Sequence, residues 1–222
     1  MTEKFDTACP KYLISYPDDY VSGKRYPILF LLHGAGTRGD SLERLERNAF
    51  FTRSVPFAKN NFIIVAPLCS RHSWFDHFEG LIDLYRSVAT ADFADPDRVY
   101  IIGASMGGYA TWQLATSCPE YTAAIVPICG GGMQWTAARL KNIPVWAHHG
   151  ELDDVVSVDE SRRMVDAVNR AGGNARLTVY PDVAHASWIN AYSNEEVFRW
   201  LLEQKRYVEK LDGSFDDIDR FG

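Results

Sequence analysis

The pentapeptide Gly103-Ala104-Ser105-Met106-Gly107 has the spacing G-x-S-x-G. It follows an apolar run, Val99 to Ile102, and opens a helical stretch from Ser105 to about Ser117, ahead of Pro119. A strand that reverses at once into a helix strains its central residue and crowds the neighbouring backbone. Glycines at 103 and 107 remove side chains that would clash, and Gly108 lets the helix sit tightly on the sheet. The Ser105 hydroxyl is then exposed at a helix N-terminus, where backbone N–H groups can hold a developing oxyanion. Serine is a weak nucleophile at its free pKa, so this chemistry needs a base and an acid to orient it.

The chain has six histidines: His33, His72, His77, His148, His149 and His185. The base is expected after a late strand and after the acid in chain order. The run Arg176 to Tyr180 reads as that strand and leads into Pro181-Asp-Val-Ala-His185-Ala-Ser-Trp188, which points to His185. His148 and His149 end the preceding strand, too early for an acid to intervene. Behind them stands Gly150-Glu151-Leu152-Asp153-Asp154, where three carboxylates compete. The turn after Gly150 brings Asp153 back toward the crevice and points Asp154 onward; Asp153 is the expected acid and Asp154 the alternative. Its task is to fix the imidazole tautomer and stabilise the imidazolium.

A third strand end carries Leu32-His33-Gly34-Ala35-Gly36. A glycine-rich loop there can turn a backbone N–H inward. Ala35 is expected to supply one oxyanion N–H, with Gly36 next in line, and Met106 the other. His33 is read as a brace for the loop and not as a proton carrier.

Positioning these groups takes alternating strands and helices. Strands are expected at Tyr12 to Tyr16, Ile28 to Leu32, Phe62 to Ala66, Val99 to Ile102, Ala123 to Ile128, Pro144 to His148 and Arg176 to Tyr180. Their continuous apolar runs suit burial on both faces. Between them, Leu81, Leu84 and Val88 form one helical stripe. Ser157 and Glu160 read as a capping box ahead of Met164, Val165 and Val168, and Gly172-Gly173 close that helix. A last helix runs from Glu195 to about Gln204 with Val197, Leu201 and Leu202 inward. This order implies an α/β fold: a mostly parallel sheet, helices on both faces, and the ligand crevice outside the carboxyl ends of the strands. The chain reads as one domain over residues 1–222, without an insertion long enough for a large lid, and with an acidic tail from about 206 to 222.

Composition excludes other classes. With 222 residues, 46% hydrophobic and 23% charged, the chain is neither fibrous nor disordered as a whole. A net charge of −6 without a basic cluster argues against nucleic acid as a partner. The apolar runs are too short to span a bilayer, and no signal peptide is visible, so a cytoplasmic protein with reduced, buried thiols at Cys9, Cys69, Cys118 and Cys129 is expected. No metal set or dinucleotide fingerprint stands out and no cofactor is expected. Gly34-Ala-Gly36 lacks the following glycine, and His72 and His77 lack a third ligand.

On these residues the chain resembles the α/β-hydrolase superfamily. It is most similar to compact serine esterases of the dienelactone-hydrolase-like, feruloyl-esterase-like and depolymerase-like groups and to peptidase-like proteins of the Leu-His-Gly-Ala-Gly type. The landmarks are His33-Gly-Ala-Gly36, Gly103-Ala-Ser-Met-Gly107, Gly150-Glu-Leu-Asp153-Asp-Val-Val156 and Tyr180-Pro-Asp-Val-Ala-His185, and the likeness runs from about Tyr12 to Lys205. It implies an α/β-hydrolase fold with Ser105 as nucleophile, Asp153 as acid and His185 as base. Two features depart from it: Gly36-Thr-Arg-Gly39 stands where relatives often have Gly-Glu-Arg-Gly, and Asp154 where proline is common. Dienelactone hydrolases proper use a cysteine nucleophile, so Ser105 argues against that activity.

The expected function is a serine carboxylic ester hydrolase working through an acyl-serine on small-molecule esters with small or aromatic acyl groups. The alternatives are a prolyl-oligopeptidase-like peptidase and a non-catalytic binding module. The loose stretches 69–79 and 130–142 are expected to wall the crevice, and Trp74, Trp135 and Trp188 to line an apolar pocket.

Overall fold

A computed structural model of the chain describes residues 1–207. The strands are β1 Thr2–Phe5, β2 Tyr12–Ser15, β3 Tyr26–Leu32, β4 Ile63–Pro67, β5 Ala94–Ala104, β6 Ala124–Ile128, β7 Val145–Gly150 and β8 Ala175–Tyr180. They form one eight-stranded sheet in the order β1-β2-β4-β3-β5-β6-β7-β8. From β4 across to β8 all neighbours are parallel; β2 pairs antiparallel with β4, and β1 with β2. Every expected strand is present. β1 was not foreseen, because Thr-Glu-Lys-Phe is polar and lies at an exposed sheet edge.

The helices are α1 Glu43–Glu46, α2 Ala49–Arg53, α3 Pro56–Asn61, α4 Phe78–Ala89, α5 Met106–Ser117, α6 Val158–Arg170, α7 Trp188–Ser193 and α8 Glu195–Glu203. Successive strand residues face opposite sides. In β3, Ile28, Phe30 and Leu32 enter a core shared with α4, α5 and α6, whereas Leu29 and Leu31 enter a second core shared with α1, α2, α3, α7 and α8. Burial on both faces is why the strand reads as an unbroken apolar run.

Local details depart from expectation in three places. Ser157 caps α6 by accepting from the Asp159 N–H at 3.3 Å, not as a capping box, because the Glu160 carboxylate turns to Arg163. A capping box does form at Ser73 and Asp76, at the start of the short 3-10 turn Trp74–His77. Cys69, Cys118 and Cys129 are buried free thiols as expected, but Cys9 is exposed. At the chain end, Arg206 is docked on the body, its N–H donating to Asp97 O at 2.9 Å. The acidic tail read from 206 onward therefore has its first residue bound, and its part from residue 208 lies outside the described residues. Among those described, no helix is long and apolar enough to cross a membrane.

Candidate active site

The carboxyl ends of five parallel strands line up in register. Leu32 faces Gly103, Ala104 faces Ile128, Ile128 faces His148, and Gly150 faces Tyr180. The loops leaving these ends converge on one rim, the position expected for a ligand crevice in a parallel sheet.

Ser105 stands between β5 and α5 with φ 56° and ψ −117°, in the left-handed half of conformational space that side chains rarely adopt. Its N–H donates to Ile128 O at 2.8 Å, which pins the turn to β6. A Cβ on Gly107 would lie 1.9 Å from Leu32 O, so only glycine lets α5 approach β3 this closely. The second tight approach sets the other two loops. A Cβ on Gly150 would lie 2.2 Å from both Val183 O and Ala184 O, so the segment before His185 rests directly on the end of β7.

That packing joins three side chains. Ser105 Oγ donates to His185 Nε2 at 2.8 Å, and His185 Nδ1 donates to Asp153 Oδ2 at 2.8 Å. The Asp153 side chain is fully buried and that of His185 is 19% exposed. Asp153 Oδ1 accepts from the N–H groups of Val155 at 3.0 Å and Val156 at 2.9 Å. Burial alone would raise the Asp153 carboxyl. The Val156 N–H, His185 and the Val155 N–H outweigh it and hold the group below the usual carboxylate range, so it stays ionised. Asp154 is exposed and takes no part in this chain of contacts. Hydroxyl, imidazole and ionised carboxylate in this order can deprotonate the hydroxyl as it attacks a carbonyl.

The cavity beside Ser105 holds about 440 Å³ and is lined by Ala35, Gly36, Arg47, Asn48, Ala49, Val155, Trp188 and Tyr192, among others, together with Ser105 and His185. Ala35 thus faces the same space as Ser105. Met106 is the first residue of α5, and an N–H at that position has no partner within the helix. Trp188 stands edge-on to His185, with ring centroids 5.3 Å apart.

The other two tryptophans do not line this cavity. Trp74 is fully buried; its indole N–H donates to His33 O at 3.0 Å, and its ring packs 4.8 Å from that of His33. It fastens the 33–37 loop from beneath instead of meeting a ligand. Trp135 is 81% exposed, on the 3-10 segment Gln134–Leu140, and also misses the cavity. The stretches around residues 75 and 132 meet instead at a second cavity of about 530 Å³, lined by Phe75, Phe78, Tyr109, Gln113 and Met133 among others. In their place, Asn48, Ala49, Val155 and Tyr192 wall the Ser105 cavity. Asn48 does two jobs there: its Oδ1 accepts from the Phe50 N–H to cap α2, and its amide donates to Thr37 Oγ1 at 2.9 Å.

His33 braces the loop. Its Nε2 accepts from the Cys69 N–H at 3.0 Å, so Nδ1 carries the proton and donates to Gly34 O at 2.8 Å. Burial, with smaller contributions from Arg44 and Arg38 against a rise from Gly34, lowers it from 6.5 to about 4; burial and then Arg176 lower His148 to about 3. Both therefore stay neutral in the folded chain at pH values where the unfolded chain takes up protons. Stability is retained above 6.5 and lost as pH falls from there toward 4 and 3. Thermal melts should show a loss on the order of a few kcal/mol on acidification through this window. A melting temperature unchanged across it would contradict the neutral, buried assignment.

Among the described residues, one grouping of three metal-ligating side chains occurs: Cys129, Asp153 and His185. Asp153 and His185 already hold each other through a 2.8 Å hydrogen bond, so two of the three donors are engaged within the protein.

Three comparisons bear on this geometry. A model described as the dienelactone hydrolase family matches residues 72–205, more than half of the chain. Feruloyl esterase D of Neurospora crassa is 23% identical over 176 residues, covering 73% of this chain and 60% of the relative. A solved structure of a thermostable esterase superposes with a TM-score of 0.79 at 32% identity, covering 93% of this chain and 63% of the other. A Porphyromonas gingivalis dipeptidyl peptidase 4 superposes with a TM-score of 0.70 at 14% identity, over 92% of this chain and 35% of its own, which is a likeness of fold alone. The fold is that of the α/β-hydrolases. The chain spans less than two thirds of the length of each of these relatives.

Proposed function

The chain belongs to the dienelactone hydrolase family, and from that premise we propose that it hydrolyses carboxylic esters through an acyl-serine intermediate. The observation that carries this reading is the pair of 2.8 Å hydrogen bonds from Ser105 to His185 to Asp153. The ester carbonyl sits in the Ser105 cavity. Ser105 Oγ attacks it while its proton passes to His185 Nε2, and Asp153 stabilises the imidazolium that forms. The N–H groups of Ala35 and Met106 take the oxyanion. His185 then gives its proton to the leaving alkoxide as the ester bond breaks. A water attacks the acyl-serine, its proton going to His185, and the acid leaves as Ser105 recovers its hydrogen. Trp188, which lines the cavity beside His185, offers an aromatic wall against which a small or aromatic acyl group can pack.

Amide hydrolysis is the second reading, because the same hydroxyl, imidazole and carboxylate can attack an amide carbonyl. A panel of p-nitrophenyl acyl esters, feruloyl esters, acetylated sugars and aminoacyl amides separates the two. Ester cleavage well above amide cleavage is expected. Amide cleavage without ester cleavage would overturn the proposal.

A further inference from the structure

His148 and His149, next to Gly150 at the end of β7, face opposite sides of the sheet. His148 packs against Trp146 and Tyr180. His149 turns toward the site. Its Nε2 lies 3.2 Å from Asp153 Oδ2 and 2.9 Å from Val156 O, and both side chains of the His149–Asp153 pair are fully buried. Both neighbours of Nε2 are acceptors, so Nε2 carries a proton. Its Nδ1, the acceptor of the neutral ring, lies 2.7 Å from the Ser161 hydroxyl on α6, whose one proton is shared between Nδ1 and Gly130 O at 3.0 Å, and this contact holds the ring in place.

The Asp153 oxygen that receives His185 at 2.8 Å therefore also lies 3.2 Å from His149 Nε2, whose N–H is hydrogen-bonded to Val156 O at 2.9 Å. We propose that His149 is a positioning residue that steadies Asp153 and, by lying against its Oδ2, sets how strongly that carboxylate draws the proton on His185. The inference rests on the reading of Ser105, His185 and Asp153 as the reacting set. The positive N–H edge of a second imidazole 3.2 Å from Oδ2 partly offsets its charge and so weakens its hold on the imidazolium of His185. His149 stays neutral while doing this: burial lowers it, and the charge of His185 lowers it further, against rises from Val156 O and Asp153.

Other titratable and charged groups pack around the site, and Arg47 lines the cavity that His185 faces. The Cys129 thiol at the end of β6 is held protonated by burial. Tyr109 on α5 is raised by burial and then by Glu160 and Asp153. Glu160 on α6 is paired with Arg163.

The test uses His149→Leu and His149→Gln, whose amide nitrogen reproduces the Nε2 donor. His149→Leu should lower kcat by about 10- to 100-fold through misplacement of Asp153. It should also raise the midpoint of the acid limb of kcat/KM by about half a unit to one unit. His149→Gln should restore both most of the way. Ser161→Ala, a milder change, should move the midpoint in the same direction by less. A parallel NMR titration of the His185 ring in a Ser105→Ala background reads the same midpoint without hydrolysis, so a failure of the esterase reading is distinguishable from a failure of this one. Equal losses in Leu and Gln variants, or lost activity with an unmoved midpoint in both experiments, would overturn the proposal. If the Leu variant does not fold, an unmoved NMR midpoint in the Ser161→Ala variant does so.

Discussion

Replacing Ser105 by alanine is expected to lower kcat for ester hydrolysis by about 10⁴- to 10⁶-fold, measured on the best p-nitrophenyl ester of the panel. The size of the loss follows from the site. Among the described residues, no other hydroxyl or thiolate is hydrogen-bonded to His185 Nε2, which Ser105 Oγ meets at 2.8 Å. Cys129 is near, but burial pushes its thiol up to about 12, and a protonated thiol is a poor nucleophile. The variant should fold normally, because the turn is held by the Ser105 N–H to Ile128 O and by the close approach of Gly107 to Leu32 O, neither of which uses the hydroxyl. A loss of less than about 10-fold in a folded variant would mean that another group attacks the ester.

The second large effect separates two adjacent carboxylates. Asp153→Asn should lower kcat by about 10⁴-fold, because an amide can offer an N–H to His185 Nδ1 and so stabilise the wrong tautomer. Asp154→Asn should change kcat less than about threefold, as expected of an exposed side chain outside the network. The backbone of the 153–156 turn adds to the contrast: the Val155 and Val156 N–H groups that hold Asp153 Oδ1 point at position 153 and not at 154. Kinetics on the two variants side by side check this. Comparable losses in both would move the acid role or spread it over the loop.

The parts of this site that could be read in the sequence are those imposed by backbone sterics. Ser105 stands out in the sequence because a strand-to-helix reversal demands glycine at 103 and 107, and the would-be Cβ contacts with Gly107 O and Leu32 O are the physical form of that demand. Asp153 and His185 stand out because each follows a strand whose continuous apolar run marks it as buried on both sides. The brace at His33 followed from its place ahead of a glycine loop, and its two backbone hydrogen bonds are of that kind.

The cavity wall was not legible. α1, α2 and α3 are each at most 6 residues long, too short to show a helical period, so Asn48 and Ala49 gave no signal. Aromatic residues do not announce which way they face. Trp74 and Trp135 sit in similar loose stretches, yet one is sealed beneath a loop and the other is open to solvent. His149 was visible only as one of an adjacent pair. Its four-residue spacing to Asp153 becomes a contact because the turn after Gly150 folds the carboxylate back over the end of β7. Turn geometry of that kind is set by Val183 and Ala184 packing on Gly150 from far along the chain.

The reaction of the protein with a fluorophosphonate ester, followed by intact mass and peptide mapping, tests the central claim most directly. One equivalent should add, with loss of fluoride, at Ser105 and nowhere else, and the adduct should not form in Ser105→Ala. Stoichiometric labelling at another residue, or none in an active preparation, would contradict the account.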